Sequence, residues 1–425
     1  MISKQALKTV ISDQWKEFES LKDSVPRSVF SKASSYTGAS AFVVKGVRRC
    51  GKSTLLKQLL KAKFDGNFFY FNFDDDRIAG FITADFQTLI ETLIEAYGEK
   101  KTVLFDEIQN IAGWELFINR ILRQGYKVFI TGSNANLLSK ELGTHLTGRH
   151  VDIELYPFSF CEFLKANKIE VPRKGFYSTE QKAQLSKKFK EYILKGGMPE
   201  PVVLKNEEML TQVFNDIVQK DIVTRYNPRK PSELKIVLKF LLANVSNPIT
   251  YRSIQSNFNI KSANTIQKYT EYAEETYLVF SVQRFEKTLK KFDKNPKKIY
   301  CVDNGLILKN TPTILERKGA LLENIVAVQL KRIGKEFYYY KNKSSHNEAD
   351  FVVPDEKTAI QVCYELTDTN KERELKGLTD AMKETKANTG HILTLEQEQE
   401  IEYNDKKIPV KPVWQWLIET EPDNT

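Results

Sequence analysis

The chain has 425 residues, 41% hydrophobic and 28% charged, with a net charge of +9. These are the proportions of a globular protein, and the length allows two to four folded units at roughly 100–200 residues each. No apolar run reaches the roughly 18–20 residues of a bilayer span, the N-terminus lacks the apolar core of a signal peptide, and the four scattered cysteines form no CxxC pair, which excludes a disulfide framework or a structural zinc site.

A reduced, cytoplasmic setting with no membrane partner is expected. The charge is unevenly spread: between Pro231 and Tyr300 twelve Lys/Arg face six Asp/Glu, so two-thirds of the excess lies in 70 residues. Such clustering fits either a nucleic-acid contact or a solvated lysine-rich hairpin.

AFVVK (Ala41–Lys45) is a short apolar strand, and leucines at 55, 56, 59 and 60 mark a helix after Gly51. Between them Gly46, Gly51, Lys52 and Ser53 match G-x4-G-K-[ST]. Glycines let the backbone curl so that successive N–H groups face phosphate oxygens, and a helix N-terminus adds its positive end. Lys52 is expected on the β- and γ-phosphates of ATP and Ser53 on Mg2+. Arg48, Arg49, Cys50 and Thr54 complete the expected phosphate cradle.

FFYFNF (68–73) is the next strand. TVLFD (Thr102–Asp106) follows and ends in Asp106 and Glu107, expected respectively to hold the Mg2+ shell and to polarise a water for attack on the γ-phosphate. KVFITGS (127–133) and VDIELY (151–156) add two strands. Repeating βα units imply a parallel sheet with ligands at the carboxyl ends of its strands. Ser133 and Asn134 stand at one such end, where a polar side chain could sense the γ-phosphate or simply make the turn. Arg149 is a candidate catalytic arginine finger or a solvated loop arginine.

GVRRCGKSTLL, FNFDDDR, LFDEIQN, FITGSNANLLS, TGRHVDIELYPFSFCEFL and, further on, GGMPEPV together resemble prokaryotic AAA-type ATP-binding proteins with an uncharacterised C-terminal region. The resemblance spans nearly the whole chain. It implies an α/β P-loop ATPase core with strand order 5-1-4-3-2, and it places Arg149 where a finger would reach a neighbouring subunit of a homo-oligomer.

Residues 166–206 are polar and broken by prolines and glycines around one lysine-rich helix, as in a connector. Met209–Val223 carries a helical apolar stripe. PITYRSIQSNFNIKSANTIQKYTEYAEETYLVFSVQRF then has the layout of a winged helix. Tyr251–Phe258 and Ala263–Glu274 are its helices, with Ile266 and Tyr269 inward. Ser262, Asn264, Thr265 and Lys268 would face the bases of duplex DNA, and a lysine-rich hairpin with Lys287, Lys290, Lys291, Lys294, Lys297 and Lys298 would meet phosphates. Winged helices also serve as protein-contact modules.

From Gly319 the order αβββαβ resembles the restriction-endonuclease-like fold. Its metal site takes a helical Glu, an Asp, and E-x-K on the third strand. Glu323 and Asp350 match in position, but the third element reads Gln361-Val362-Cys363. The amide removes an anionic ligand from the metal, and the thiol removes the cation that stabilises a pentavalent phosphate. Glu365 falls on the same strand face by the period of two, where it could replace the missing ligand in part. An inactive nuclease-like domain is expected. The boundaries expected are 1–165 ATPase, 166–230 helical connector, 231–295 winged helix and 296–425 nuclease-like domain. Turnover is expected to be slow and to control DNA or protein binding; a non-hydrolysing scaffold and an ATP-gated nuclease are the alternatives.

Overall fold

A computed structural model describes residues 2–20, 25–34, 40–133, 150–172, 175–258, 260, 262–286, 295–342 and 344–422. The chain divides into two units, residues 1–156 with 275–277, and residues 157–274 with 278–422.

In the first unit, β1 (Ala41–Lys45) and β3 (Thr102–Asp106) are buried at every residue, and β4 (Lys127–Gly132) at all but its first. Strands covered on both faces need side chains that are apolar throughout, and AFVVK, TVLF and VFIT supply them. β2 (Phe69–Asn72) and β5 (His150–Glu154) form the edges, and β5 accordingly alternates polar and apolar residues. All pairings are parallel and the order is β2-β3-β4-β1-β5, the expected order read from the other edge. This is an α/β fold. One face is covered by helices Asp85–Tyr97 and Trp114–Arg123, whose Phe86 and Phe117 rings stack 4.2 Å apart. The N-terminal helix Lys4–Ser20, not anticipated from sequence, joins the same core through Leu7, Val10 and Ile11.

The second unit begins with helices Phe160–Ala166, Thr179–Lys195 and Pro199–Leu204. The stripe expected as one helix over 209–223 is α-helical only over Met209–Asp216 and π-helical over Ile217–Val223. Both the N–H and the hydroxyl of Thr224 reach the carbonyl of Gln219, five residues back, which closes the wider turn. Helices Pro231–Ala243, Tyr251–Phe258 and Ala263–Glu275 follow. Ile266 and Tyr269 are buried, as the pattern predicts. A three-stranded sheet, order β6-β8-β7, combines Pro248–Ile249, Lys297–Cys301 and Val279–Val282, so its central strand comes last in the chain.

The element order αβββαβ is observed as helix Lys318–Arg332, β9 (Tyr338–Lys341), β10 (Glu348–Val353), β11 (Thr358–Val362), helix Lys371–Thr385 and β12 (Thr389–Thr394). A hairpin, β13 (Gln399–Tyr403) and β14 (Lys406–Pro412), and helix Val413–Thr420 extend it beyond the elements read from sequence. The sheet order is β13-β14-β12-β11-β10-β9.

Candidate functional site

The loop between β1 and helix Lys52–Phe64 owes its shape to two glycines. At Gly46, φ is +153° and a Cβ would lie 2.1 Å from the Leu155 carbonyl oxygen, so no side chain fits. Gly51 is left-handed at φ 94° and turns the chain into the helix. Arg49 takes a left-handed φ of 63° without being glycine, at an exposed position. Arg27, which no local pattern marks, is buried and braces the loop by donating to the carbonyls of Cys50 and Tyr156. Burial raises the Cys50 thiol above its ordinary range, so this cysteine is a packing residue. Arg48 lies 3.7 Å from Asp74, and Thr54 is half-buried in the first helical turn.

The Lys52 ammonium donates to the carbonyls of Gly46 at 3.1 Å and Val47 at 3.2 Å and stands 3.8 Å from Glu107. Thr131 from β4 donates to the Asp106 carboxylate, and Ser53 stands beside it at the start of the helix. Burial raises the Asp106 carboxyl, helped by the charge of Glu107, while Thr131, Ser53 and Lys52 oppose the rise. Glu107 has a left-handed φ of 52°, accepts from Ser133 Oγ at 3.2 Å, and is also held by Gln109. Burial alone would push its carboxyl up, but the charges of Lys52 and Arg48 together with the bonds from Gln109 and Ser133 hold Glu107 below the ordinary carboxylate value. The pair is therefore differentiated, with an ionised Glu107 beside a more basic Asp106.

Thr131 was missed by the sequence reading. Its hydroxyl donates to Asp106 and accepts from the Glu107 N–H at 3.1 Å, so one side chain orients both carboxylates. The available signal was a polar residue breaking the apolar run of β4 where it leaves the sheet. Asn134 and Arg149 lie outside the described residues.

In the second unit, Asn264 and Lys268 are exposed and Thr265 half-buried on helix Ala263–Glu275. Lys287, Lys290, Lys291 and Lys294 lie outside the described residues, and Lys297 is half-buried. Lys298 requires a correction. It is 2% exposed, and its ammonium is 3.0 Å from Glu323, 2.9 Å from Asp350 and 3.0 Å from Glu348, so it is no phosphate contact. Period two turns its side chain inward where Lys297 points outward. Glu323 and Asp350 thus come together as expected, around a cation not anticipated there.

Gln361 lines the same cavity as Glu323, Glu348 and Asp350, with its amide engaged in bonds of its own. Its amide donates to Glu374 at 2.6 Å and its oxygen accepts from the Asp350 N–H at 3.3 Å. β11 ends at Val362; Cys363 is buried in the apolar cluster with Leu375 and Leu378, and Glu365 is exposed rather than replacing a ligand on the strand. Among the described residues no group of three or more His, Cys, Asp or Glu is arranged to hold a metal ion. Nor, among them, is any helix long and apolar enough to cross a membrane.

Residues 39–164 match a family described as an AAA domain, while 186–312 and 318–416 match two separate domains of unknown function. An uncharacterised protein of the archaeon Methanocaldococcus jannaschii is 35% identical over 395 residues, 88% of each chain. Another, from Haemophilus influenzae, is 34% identical over 351 residues, 78% of this chain and 84% of that one. Solved structures that match include a mutant of Thermotoga maritima RuvB, with TM-score 0.30 and 15% identity over 66% of this chain and 89% of that one. AMPPCP-bound DnaA from Aquifex aeolicus matches with TM-score 0.26 and 16% identity over 59% and 85%. The phosphate loop, the paired carboxylates and about one-third identity over most of the chain to two such relatives lead to one assignment: the chain belongs to the family of AAA-domain proteins whose C-terminal part consists of domains of unknown function.

Proposed function

We propose that this protein binds ATP with Mg2+ at the loop 46–53 and hydrolyses it slowly, using the nucleotide state to control what its second unit binds. The observation that carries the reading is the convergence of Lys52, Ser53, Asp106, Thr131 and Glu107 at the carboxyl ends of β1, β3 and β4. Ser53 and Asp106 would hold Mg2+, a hard ion suited to a hydroxyl and a carboxylate, which neutralises charge on the phosphates. Lys52, now on loop carbonyls, exchanges them for phosphate oxygens. Glu107, ionised at neutral pH and fixed by Gln109 and Ser133, accepts a hydrogen bond from water and aligns it. Arg149 is the proposed finger, and the exposed Asn264 and Lys268 are the proposed contacts with duplex DNA.

The test measures ATP binding and turnover with and without duplex DNA. Lys52→Ala should lose binding, whereas Glu107→Gln should bind normally and lose at least about 100-fold in turnover, the scale of general-base catalysis. Parental turnover in Glu107→Gln would remove the base assignment. DNA that alters neither turnover nor nucleotide affinity would leave protein partners as the target of the switch.

A further inference from the structure

Lys298 and Tyr300 lie two residues apart on β8 and meet at one carboxylate, that of Glu323. The Tyr300 hydroxyl donates to Glu323 at 2.6 Å, on the oxygen that also receives Lys298. Asp350 divides its two oxygens between Lys298 and the Val362 N–H at 3.0 Å. Glu348 gives one oxygen to Lys298 and the other to Lys341, at 3.0 and 3.3 Å. Three carboxylates around one central cation is the ligand set that a hard divalent ion would choose, but the spacing here is 2.9–3.0 Å. Metal–oxygen bonds of Mg2+ or Ca2+ need about 2.0–2.6 Å, whereas hydrogen bonds from an ammonium need what is seen.

A divalent ion and this ammonium cannot share the position. Two cations so close repel by several kcal/mol even at an effective dielectric near 20. The lysine has no easy exit, being 2% exposed with the Tyr339 ring 5.7 Å from its nitrogen. Three carboxylates left side by side without any cation, two of them buried, would be strongly unfavourable.

We propose that Lys298 is the resident cation of this site, standing where metal-dependent enzymes of the resembled nuclease fold hold their ion, so that the native chain takes no divalent metal there. It follows that removing Lys298 uncovers a latent site for Mn2+ or Mg2+. The inference is independent of the ATPase reading, since every residue in it belongs to the second unit.

The test is a Mn2+ titration of the full chain without nucleotide, followed by electron paramagnetic resonance of free Mn2+ and by the thermal midpoint. The parent should show no tight site that Asp350→Asn abolishes. Lys298→Ala should gain one site, at least about tenfold tighter than any in the parent, and a thermal midpoint that rises with Mn2+. Lys298→Ala combined with Asp350→Asn should lose both gains. Lys298→Met, which keeps the apolar stem, is carried alongside in case the alanine variant does not fold. A tight parental site that Asp350→Asn removes would overturn the proposal, as would a folded Lys298 variant that gains no Mn2+. The parental titration stands whatever the variants do.

Discussion

Thr131→Val is the substitution that probes the nucleotide site with least change of shape, since it replaces a hydroxyl by a methyl at a fully buried position. Two interactions disappear together. Asp106, itself buried, loses a hydroxyl donor; hydrogen bonds to charged groups contribute about 1.5–3 kcal/mol. The Glu107 N–H loses its acceptor, and a buried unsatisfied donor costs about 1–3 kcal/mol. Both effects fall on one loop that can relax, so a combined loss of about 2–4 kcal/mol is expected. Thr131→Ser keeps the hydroxyl and loses only a methyl, at about 1 kcal/mol. Because Thr131 opposes the upward shift of Asp106, the valine variant should also push that carboxyl higher and weaken Mg2+-dependent ATP binding most at acidic pH. Urea denaturation gives the stability, and titration with a fluorescent ATP analogue at several pH values gives the binding. Valine and serine variants of equal stability and affinity would refute the claim that the hydroxyl, rather than the volume, matters.

Gly46→Ala should abolish nucleotide binding with the circular dichroism spectrum retained, because the new methyl meets a backbone oxygen and the end of β5 must shift; alanine with parental affinity would contradict the clash. Asp303 is buried and accepts from the N–H groups of Gly197 and Leu306, and burial pushes its carboxyl up to about 6 from 3.8. A raised carboxyl pKa favours the folded state when protonated, so this contribution is full below about pH 4 and lost as pH rises through 6, on the order of 3 kcal/mol in all. Comparing unfolding of the parent and Asp303→Asn at pH 4, 5, 6 and 7 should show that difference shrinking in the parent as pH rises, and parallel profiles would remove it.

The phosphate loop, its flanking strand and helix, and the Asp106–Glu107 pair were all legible because each is contiguous: a few neighbouring residues contain both the backbone instruction and the chemistry. The buried strands were legible for the same reason, since AFVVK or TVLF needs no partner to declare itself apolar. What joins different strands was not. Thr131 reaches Asp106 and Glu107 only because β4 lies beside β3, with Leu104 facing Phe129 and Phe105 facing Ile130, and no local pattern states that adjacency. Lys298 shows the same limit more sharply. In KKIYC a lysine beside another lysine reads as solvated hairpin, and residue 363 reads as the place where a cation is missing. The tertiary structure brings β8 against helix Lys318–Arg332 and β10, and the ammonium arrives among carboxylates that lie 25 and 52 positions further along the chain. A charge enters a buried site only when opposite charges and donors already surround it, and that surrounding is set by packing between elements far apart in sequence.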